Sequence, residues 1–151
     1  MKWLEYYKGK TVLVTGHTGF KGSWLCMMLE LAGANVVGYA LRPEKEAVLF
    51  NCSNVEAAMT SIEGDIRDLV HMQEVFRTYQ PQVVFHLAAQ PIVRTSYEQP
   101  VYTYETNVMG TVNLLECVRM TSGIESVVIV TTDKVYENKE WEWGYRENDP
   151  L

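Results

Sequence analysis

The sequence predicts an α/β protein: a doubly wound parallel sheet of about five strands in the order 3-2-1-4-5, with helices on both faces. Three observations carry this expectation. Short β-branched runs alternate with longer stretches whose apolar residues recur at helical spacing, a glycine-rich turn joins the first run to the first helical stretch, and no repeat or linker divides the 151 residues. Right-handed crossovers between parallel strands then set the strand order, and ligands of such sheets bind at the carboxyl ends of the strands, where the order reverses between the first and fourth.

Residues 11–14 (TVLV) read as the first strand, ending at the glycine turn. Trp24, Leu25, Met28, Leu29 and Ala32 follow at a spacing that lines one helix face, and Gly33 supplies the stop. Residues 36–41 form a second buried strand that closes at Arg42-Pro43, because proline has no amide to give to a ladder. Over 44–57 the pattern dissolves into an expected surface connection with one helical turn, and a third strand is expected near 59–62. Leu69, Met72, Val75, Phe76 and Tyr79 make the apolar face of a helix ending before Pro81, and residues 83–86 read as the fourth strand. A loop through Pro91 leads to the longest helix, over 101–120, and residues 126–131 (SVVIVT) are the fifth strand. That strand is left as an edge with either Val128 and Val130 or Val127 and Ile129 incompletely covered on one face, so self-association into a homo-oligomer, or a disordered tail from Glu137 onward, is expected.

An apolar fraction of 47% is enough for one compact core. Thirteen Lys and Arg against nineteen Asp and Glu leave a formal charge of -6 and no basic stripe, so no nucleic-acid partner is expected. No run approaches the roughly 18 apolar residues that span a bilayer, and the opening MKWLEYYKGK lacks the apolar middle of a signal peptide. A cytoplasmic protein with no membrane partner is expected. Cys26, Cys52 and Cys117, odd in number and widely spaced, read as reduced thiols, and neither His17 nor His86 has metal-ligand company, so no metal site is expected.

Gly16, Gly19 and Gly22 fall directly after the first strand and at the start of the first helix. In that context the first glycine allows a tight turn, the second lets backbone amides approach a pyrophosphate, and the third lets the helix pack closely on the sheet, with the phosphate charge meeting the positive helix end. The GxxGxxG spacing is the variant associated with short-chain dehydrogenase/reductase proteins of the Rossmann type. A P-loop would need Gly-Lys-Ser/Thr, whereas this chain has Lys21-Gly22-Ser23; glycines that only make a tight turn are the plainer reading. About twenty residues further on, an acid would bond the adenosine ribose and an arginine would accommodate the extra phosphate of NADP. Arg42 stands there, favouring NADP unless it is a solvated surface charge. Asp65 and Ile66 are placed to meet an adenine edge, although Asp65 or Asp68 could equally cap a helix.

After the fifth strand, Thr132, Asp133 and Lys134 put a hydroxyl, an acid and an amine at consecutive positions on the ligand edge. Such a triplet suits proton transfer, since an acid and a base side by side perturb each other's pKa, or it is a strand end without chemistry.

Residues 15–25 (TGHTGFKGSWL), 86–116 (HLAAQPIVRTSYEQPVYTYETNVMGTVNLLE) and 132–151 (TDKVYENKEWEWGYRENDPL) resemble the CDP-D-glucose 4,6-dehydratase family of extended short-chain dehydrogenase/reductases. The likeness runs from Gly9 to Leu151, and the Asp-Lys pair with its tryptophan-rich sequel separates this family from dTDP-glucose relatives, which carry Asp-Glu. The resemblance implies a hydro-lyase of deoxysugar (O-antigen) biosynthesis, converting CDP-D-glucose to CDP-4-dehydro-6-deoxy-D-glucose and water. The C4 hydroxyl is oxidised by hydride transfer to the nicotinamide, the ketone acidifies the C5 proton, water leaves from C5 and C6, and the hydride returns to C6. Carried over by position, Thr132 bonds the C4 oxygen, Asp133 is the acid for the departing C6 hydroxyl, and Lys134 is the base at C5. Phe20, Lys21, Asp65, Ile66, Ala88, Ala89, Gln90 and Thr106 match cofactor-contacting positions, and Asn107 steadies the long helix. The family uses NAD, which is the cofactor the resemblance implies; Arg42 departs from that pattern and leaves NADP as the alternative.

The family also uses a tyrosine with a lysine four residues later. The one such spacing here, Tyr6 with Lys10, precedes the first strand, and the family's motif follows shortly after the position of Leu151. The resemblance therefore implies one NAD(P)-binding Rossmann domain over 1–151, the amino-terminal part of a longer enzyme, without turnover of its own. Beside it stand a nucleotide-sugar epimerase or dTDP-type dehydratase, disfavoured by Lys134, and a non-catalytic NAD(P)-binding module. Trp141, Trp143 and Tyr145 either cover a sugar site or dock elsewhere, and Arg94 and Ser96, on the loop after the fourth strand, are further substrate-facing candidates.

Overall fold

The structure is a computed structural model that describes residues 2–43, 48–132 and 134–151. Five parallel strands, β1 Thr11–Thr15, β2 Asn35–Ala40, β3 Thr60–Glu63, β4 Val83–His86 and β5 Ser126–Ile129, lie in the order β3-β2-β1-β4-β5. This is the expected order. Leu13, on the central strand, is registered with Val37 on one side and Val84 on the other. Strands buried on both faces need apolar residues at consecutive positions, which is why TVLV and VVFH read as runs and not as alternations.

The side chains of β1 divide the core. Val12 and Val14 point to one face, with Cys26 and Leu29 of the helix α2 (Phe20–Leu31), while Leu13 points to the other, with Met72 and Phe76 of α4 (Leu69–Tyr79) and Leu114 and Cys117 of α7 (Gly110–Met120). Both faces are therefore covered. Of the three free cysteines, Cys26 and Cys117 are buried and Cys52 is exposed. No helix among the described residues is long and apolar enough to cross a membrane.

Asp68, not Asp65, caps α4: its carboxylate accepts from the His71 amide at 3.0 Å. Asp68→Ala is expected to lower stability by about 1 kcal/mol, and Asp68→Ser to recover most of it, read as shifts of the urea midpoint at constant slope.

Several elements differ from expectation. A short helix, α1 (Lys2–Tyr7), precedes β1; six residues are too few to show a period. Within 44–57, residues 44–47 lie outside the described residues, while α3 (Val48–Ser53) and a 3-10 turn (Val55–Ala58) bury Phe50 and Val55 in the core. Two isolated anchors leave no periodic trace. The loop after β4 contains α5 (Val93–Glu98), and Arg94, expected on a loop, instead pairs with Glu98 one turn on, at 2.9 Å. The long helix expected over 101–120 is α6 (Pro100–Tyr104), a π-helical segment (Glu105–Met109) and α7. A π segment inserts an extra residue into the helical repeat, which hydrophobic spacing alone does not reveal.

The buried face of α2 is Gly22, Ser23, Cys26 and Leu29, while Trp24 and Met28 are exposed. This helix is apolar around most of its circumference, so periodicity could not choose its inner face. The tail expected to be disordered is folded on itself: the Glu137 amide donates to Pro150 O at 3.0 Å, and the Tyr136 and Tyr145 rings stack with centroids 5.1 Å apart. Val128 and Val130 on the outer edge are exposed, as expected of a strand with one neighbour.

Candidate functional site

Past the end of β1, two hydrogen bonds carry the ladders one residue further: the Gly16 amide donates to Tyr39 O at 2.9 Å and the Leu87 amide to Thr15 O at 3.2 Å. These bonds draw the glycine turn between the end of β2 and the loop after β4. Gly16 has φ of +73°, and a Cβ there would lie 2.8 Å from the Ala88 nitrogen. At Gly22 a Cβ would lie 2.2 Å from Gly16 O, so the helix can approach the turn only without a side chain. Gly19 is the N-cap of α2 and supplies no capping side chain. The amides of Phe20, Lys21 and Gly22 thus have no intrahelical acceptor, and all three residues border a cleft of about 510 Å³.

The cleft runs from the turn across Ala40 and Leu41, past Gly64, Asp65 and Ile66, along Ala88 and Ala89, to Tyr102, Thr106, Val130 and Thr131. Ten of the twelve expected cofactor positions line it: Gly16, Gly19, Phe20, Lys21, Gly22, Asp65, Ile66, Ala88, Ala89 and Thr106. Two do not. Arg42 is exposed beyond the end of β2, its Nε 3.9 Å from a Glu63 carboxylate oxygen. Gln90 is buried and engaged with neighbours: its backbone amide donates to Asn107 Oδ1 at 2.7 Å, and its Nε2 donates to Thr103 Oγ1 at 2.9 Å. Asn107 also donates to Gln90 O at 3.0 Å, so it ties the π-helical segment to the cleft loop.

Asp65 receives Arg67 in a fork, with Nη2 at 2.6 Å from Oδ2 and Nε at 3.1 Å from Oδ1. The guanidinium holds the carboxyl below its ordinary range against a smaller opposing effect of burial. The same guanidinium lies 4.9 Å from the centroid of the Tyr102 ring, a contact between distant segments that sequence reasoning had no signal for. Gly64, also missed, accommodates Tyr39: a Cβ there would lie 2.2 Å from its ring. Its only trace in the sequence is a glycine directly after a strand.

Beneath the turn, His17 is buried with Nε2 2.8 Å from Ser61 Oγ, and burial lowers its pKa to about 4. At the far end of the cleft, beyond Thr131, Thr132 accepts from the Lys134 amide at 3.1 Å, and both residues are exposed on one turn. Asp133 lies outside the described residues. Tyr6 and Lys10 are engaged elsewhere: both reach Glu125, Tyr6 through its hydroxyl at 3.2 Å, beside the amino-terminal ends of the strands.

These residues fit a dinucleotide. The cradle is one a Cβ would fill, the helix start offers amides with no side-chain cap, and Thr106 Oγ1 is buried at the cleft wall without a partner. Thr106→Val is expected to raise stability by about 1 kcal/mol by removing an unsatisfied hydroxyl, and to weaken dinucleotide binding about five-fold by removing a ligand partner. Urea titration and calorimetry on the same variant check the two opposite signs.

Residues 13–151 match the family described as GDP-mannose 4,6 dehydratase. The chain is 53% identical over 147 residues to a CDP-glucose 4,6-dehydratase of Salmonella typhimurium, covering 97% of this chain and 41% of the relative. Among solved structures, an epimerase from Methanothermobacter thermautotrophicus superposes with a TM-score of 0.80 at 29% identity, over 99% of this chain and 43% of its own. A UDP-glucose-4-epimerase from Stenotrophomonas maltophila, solved with bound NAD and formylated UDP-arabinopyranose, gives 0.79 at 25% identity, over 93% and 42%. The chain thus spans about two fifths of the length of these relatives.

Proposed function

We infer the function from one premise: this chain belongs to the family described as GDP-mannose 4,6 dehydratase. On our reading it is the NAD-binding Rossmann part of a nucleotide-sugar 4,6-dehydratase whose substrate is CDP-D-glucose, a hydro-lyase of deoxysugar biosynthesis. The substrate follows the 53% identity to a CDP-glucose 4,6-dehydratase. The observation that carries the chemistry is a shared border: the glycine cradle and Thr131, two residues past the end of β5, line one cleft.

In this reading the amides at the start of α2 hold the diphosphate, and the Asp65 carboxylate and Ile66 receive the adenine. The nicotinamide, when bound, supplies a reversible hydride acceptor. Thr132 donates a hydrogen bond to the sugar C4 oxygen, Lys134 removes the C5 proton, and Asp133 protonates the C6 hydroxyl, which departs as water. Arg42, the residue that would meet a 2′-phosphate, does not line the cleft and has its Nε 3.9 Å from a Glu63 carboxylate oxygen, which favours NAD over NADP.

Calorimetric titration with NAD and NADP, followed by assay of the NAD-saturated protein with CDP-D-glucose for the alkali-stable absorbance of a 4-keto sugar, tests the reading. Tighter binding of NAD supports it, and failure of both dinucleotides to bind overturns it. Formation of the 4-keto sugar by these 151 residues would contradict the expectation that this part has no turnover of its own.

A further inference from the structure

His86, at the end of β4, is buried, and the mechanism above gives it no task. Its Nε2 lies 3.1 Å from Thr111 Oγ1, and its Nδ1 lies 2.7 Å from Thr15 Oγ1. The hydrogen-bond inventory of these groups fixes where the protons are. Thr111 donates its single hydroxyl proton to Asn107 O at 2.8 Å, because a carbonyl only accepts. Thr111 Oγ1 must then accept from the imidazole, which places a proton on Nε2.

On the other side, Thr15 Oγ1 accepts from the Ala88 amide at 3.2 Å and shares the Leu87 amide, also at 3.2 Å, with the Thr15 carbonyl oxygen. A proton on Nδ1 would give that oxygen a third donor and leave its own hydrogen without an acceptor. With Nδ1 bare, Thr15 donates to it and every group is satisfied. The groups facing the ring are hydroxyls, and the one cause that displaces its pKa, to about 4, is burial, so a neutral ring agrees with the geometry.

We infer that His86 is a positioning residue: as the neutral Nε2–H tautomer it joins the π-helical segment, through Thr111 and Asn107, to Thr15 and the Ala88 amide. That amide forms the wall on which Gly16 rests, since a Cβ on Gly16 would come within 2.8 Å of it, and both residues border the cleft. The chain of donors therefore sets the separation between the glycine turn and the loop after β4. Its consequence for ligand binding rests on the dinucleotide reading given above; the tautomer does not.

The test is a long-range 1H–15N correlation spectrum of protein labelled at its three histidines, with His86→Asn assigning the resonance, combined with NAD titration of Thr111→Val, Thr15→Val and Thr15→Ser. The expected spectrum at pH 7 shows His86 protonated at Nε2 and bare at Nδ1. Thr111→Val and Thr15→Val weaken NAD binding about ten-fold well below their melting temperatures, while Thr15→Ser, which keeps the hydroxyl, binds like the parent. A His86 ring protonated at Nδ1, or averaged between tautomers, overturns the assignment, and unchanged affinity in folded Thr111→Val overturns the positioning role. Failure of the parent protein to bind NAD would remove the dinucleotide reading and the binding role with it, while the spectrum still decides the donor chain with no ligand present.

Discussion

Replacing Gly22 with valine is expected to abolish dinucleotide binding and to destabilise the fold by roughly 3 kcal/mol. The first Cβ atom alone would lie 2.2 Å from Gly16 O and 2.8 Å from His17 Cα, both backbone atoms that cannot rotate away. Relief requires α2 to lift from the turn, which carries the amides of Phe20, Lys21 and Gly22 away from the proposed phosphate position and uncovers Cys26 and Leu29 from the core beneath. Binding and stability therefore fall together. Gly144→Ala is the control: a Cβ there meets nothing within 4 Å, and its midpoint and affinity should match the parent. Calorimetry and urea denaturation of the two variants side by side measure the contrast.

Acid should weaken the fold well above the pH at which carboxylates titrate. His17 and His86 both have pKa values lowered by burial to about 4, against an ordinary value near 6.5. Between those values the unfolded chain binds more protons than the folded one, so stability rises with pH across the window. The contribution is whole above about 6.5 and is lost as pH falls from there through about 4, with a ceiling of roughly 3 kcal/mol for each ring. Urea midpoints measured from pH 7.5 down to 4 should fall steeply below 6.5, and His17→Asn should flatten part of the slope. A midpoint that stays level from pH 6.5 to 4.5 would contradict the burial of both rings as neutral groups.

The strands were legible because parallel strands covered on both faces must be apolar without interruption, and β4 occupies the four residues expected of it. The glycine turn was legible because each glycine answers a backbone demand visible in a strand-turn-helix context. What escaped was tertiary. Nothing in the local sequence distinguishes Trp24 from Cys26 as the buried residue on an apolar helix, and no period marks the extra residue at Glu105–Met109. Gln90 matched a cofactor position by resemblance, yet its side chain is turned into contacts with Thr103 and the Ile92 amide. Such a rotation is decided by a neighbouring helix that the residue's own sequence context does not report. Tyr102 reached the cleft for a similar reason, by packing under Arg67 from a segment 35 positions away.

The proposed chemistry requires one dinucleotide to touch both the glycine cradle and the turn after β5. Mapping backbone amide chemical shifts during NAD titration of the 15N-labelled chain addresses this directly. The expected result is one saturable set of perturbations at residues 16–22, at Asp65 and Ile66, at Ala88 and Ala89, at Thr106 and across 131–134. Perturbations that saturate at the glycine turn while 131–134 stay unmoved would contradict it, because the triplet after β5 would then lie out of reach of the bound ligand.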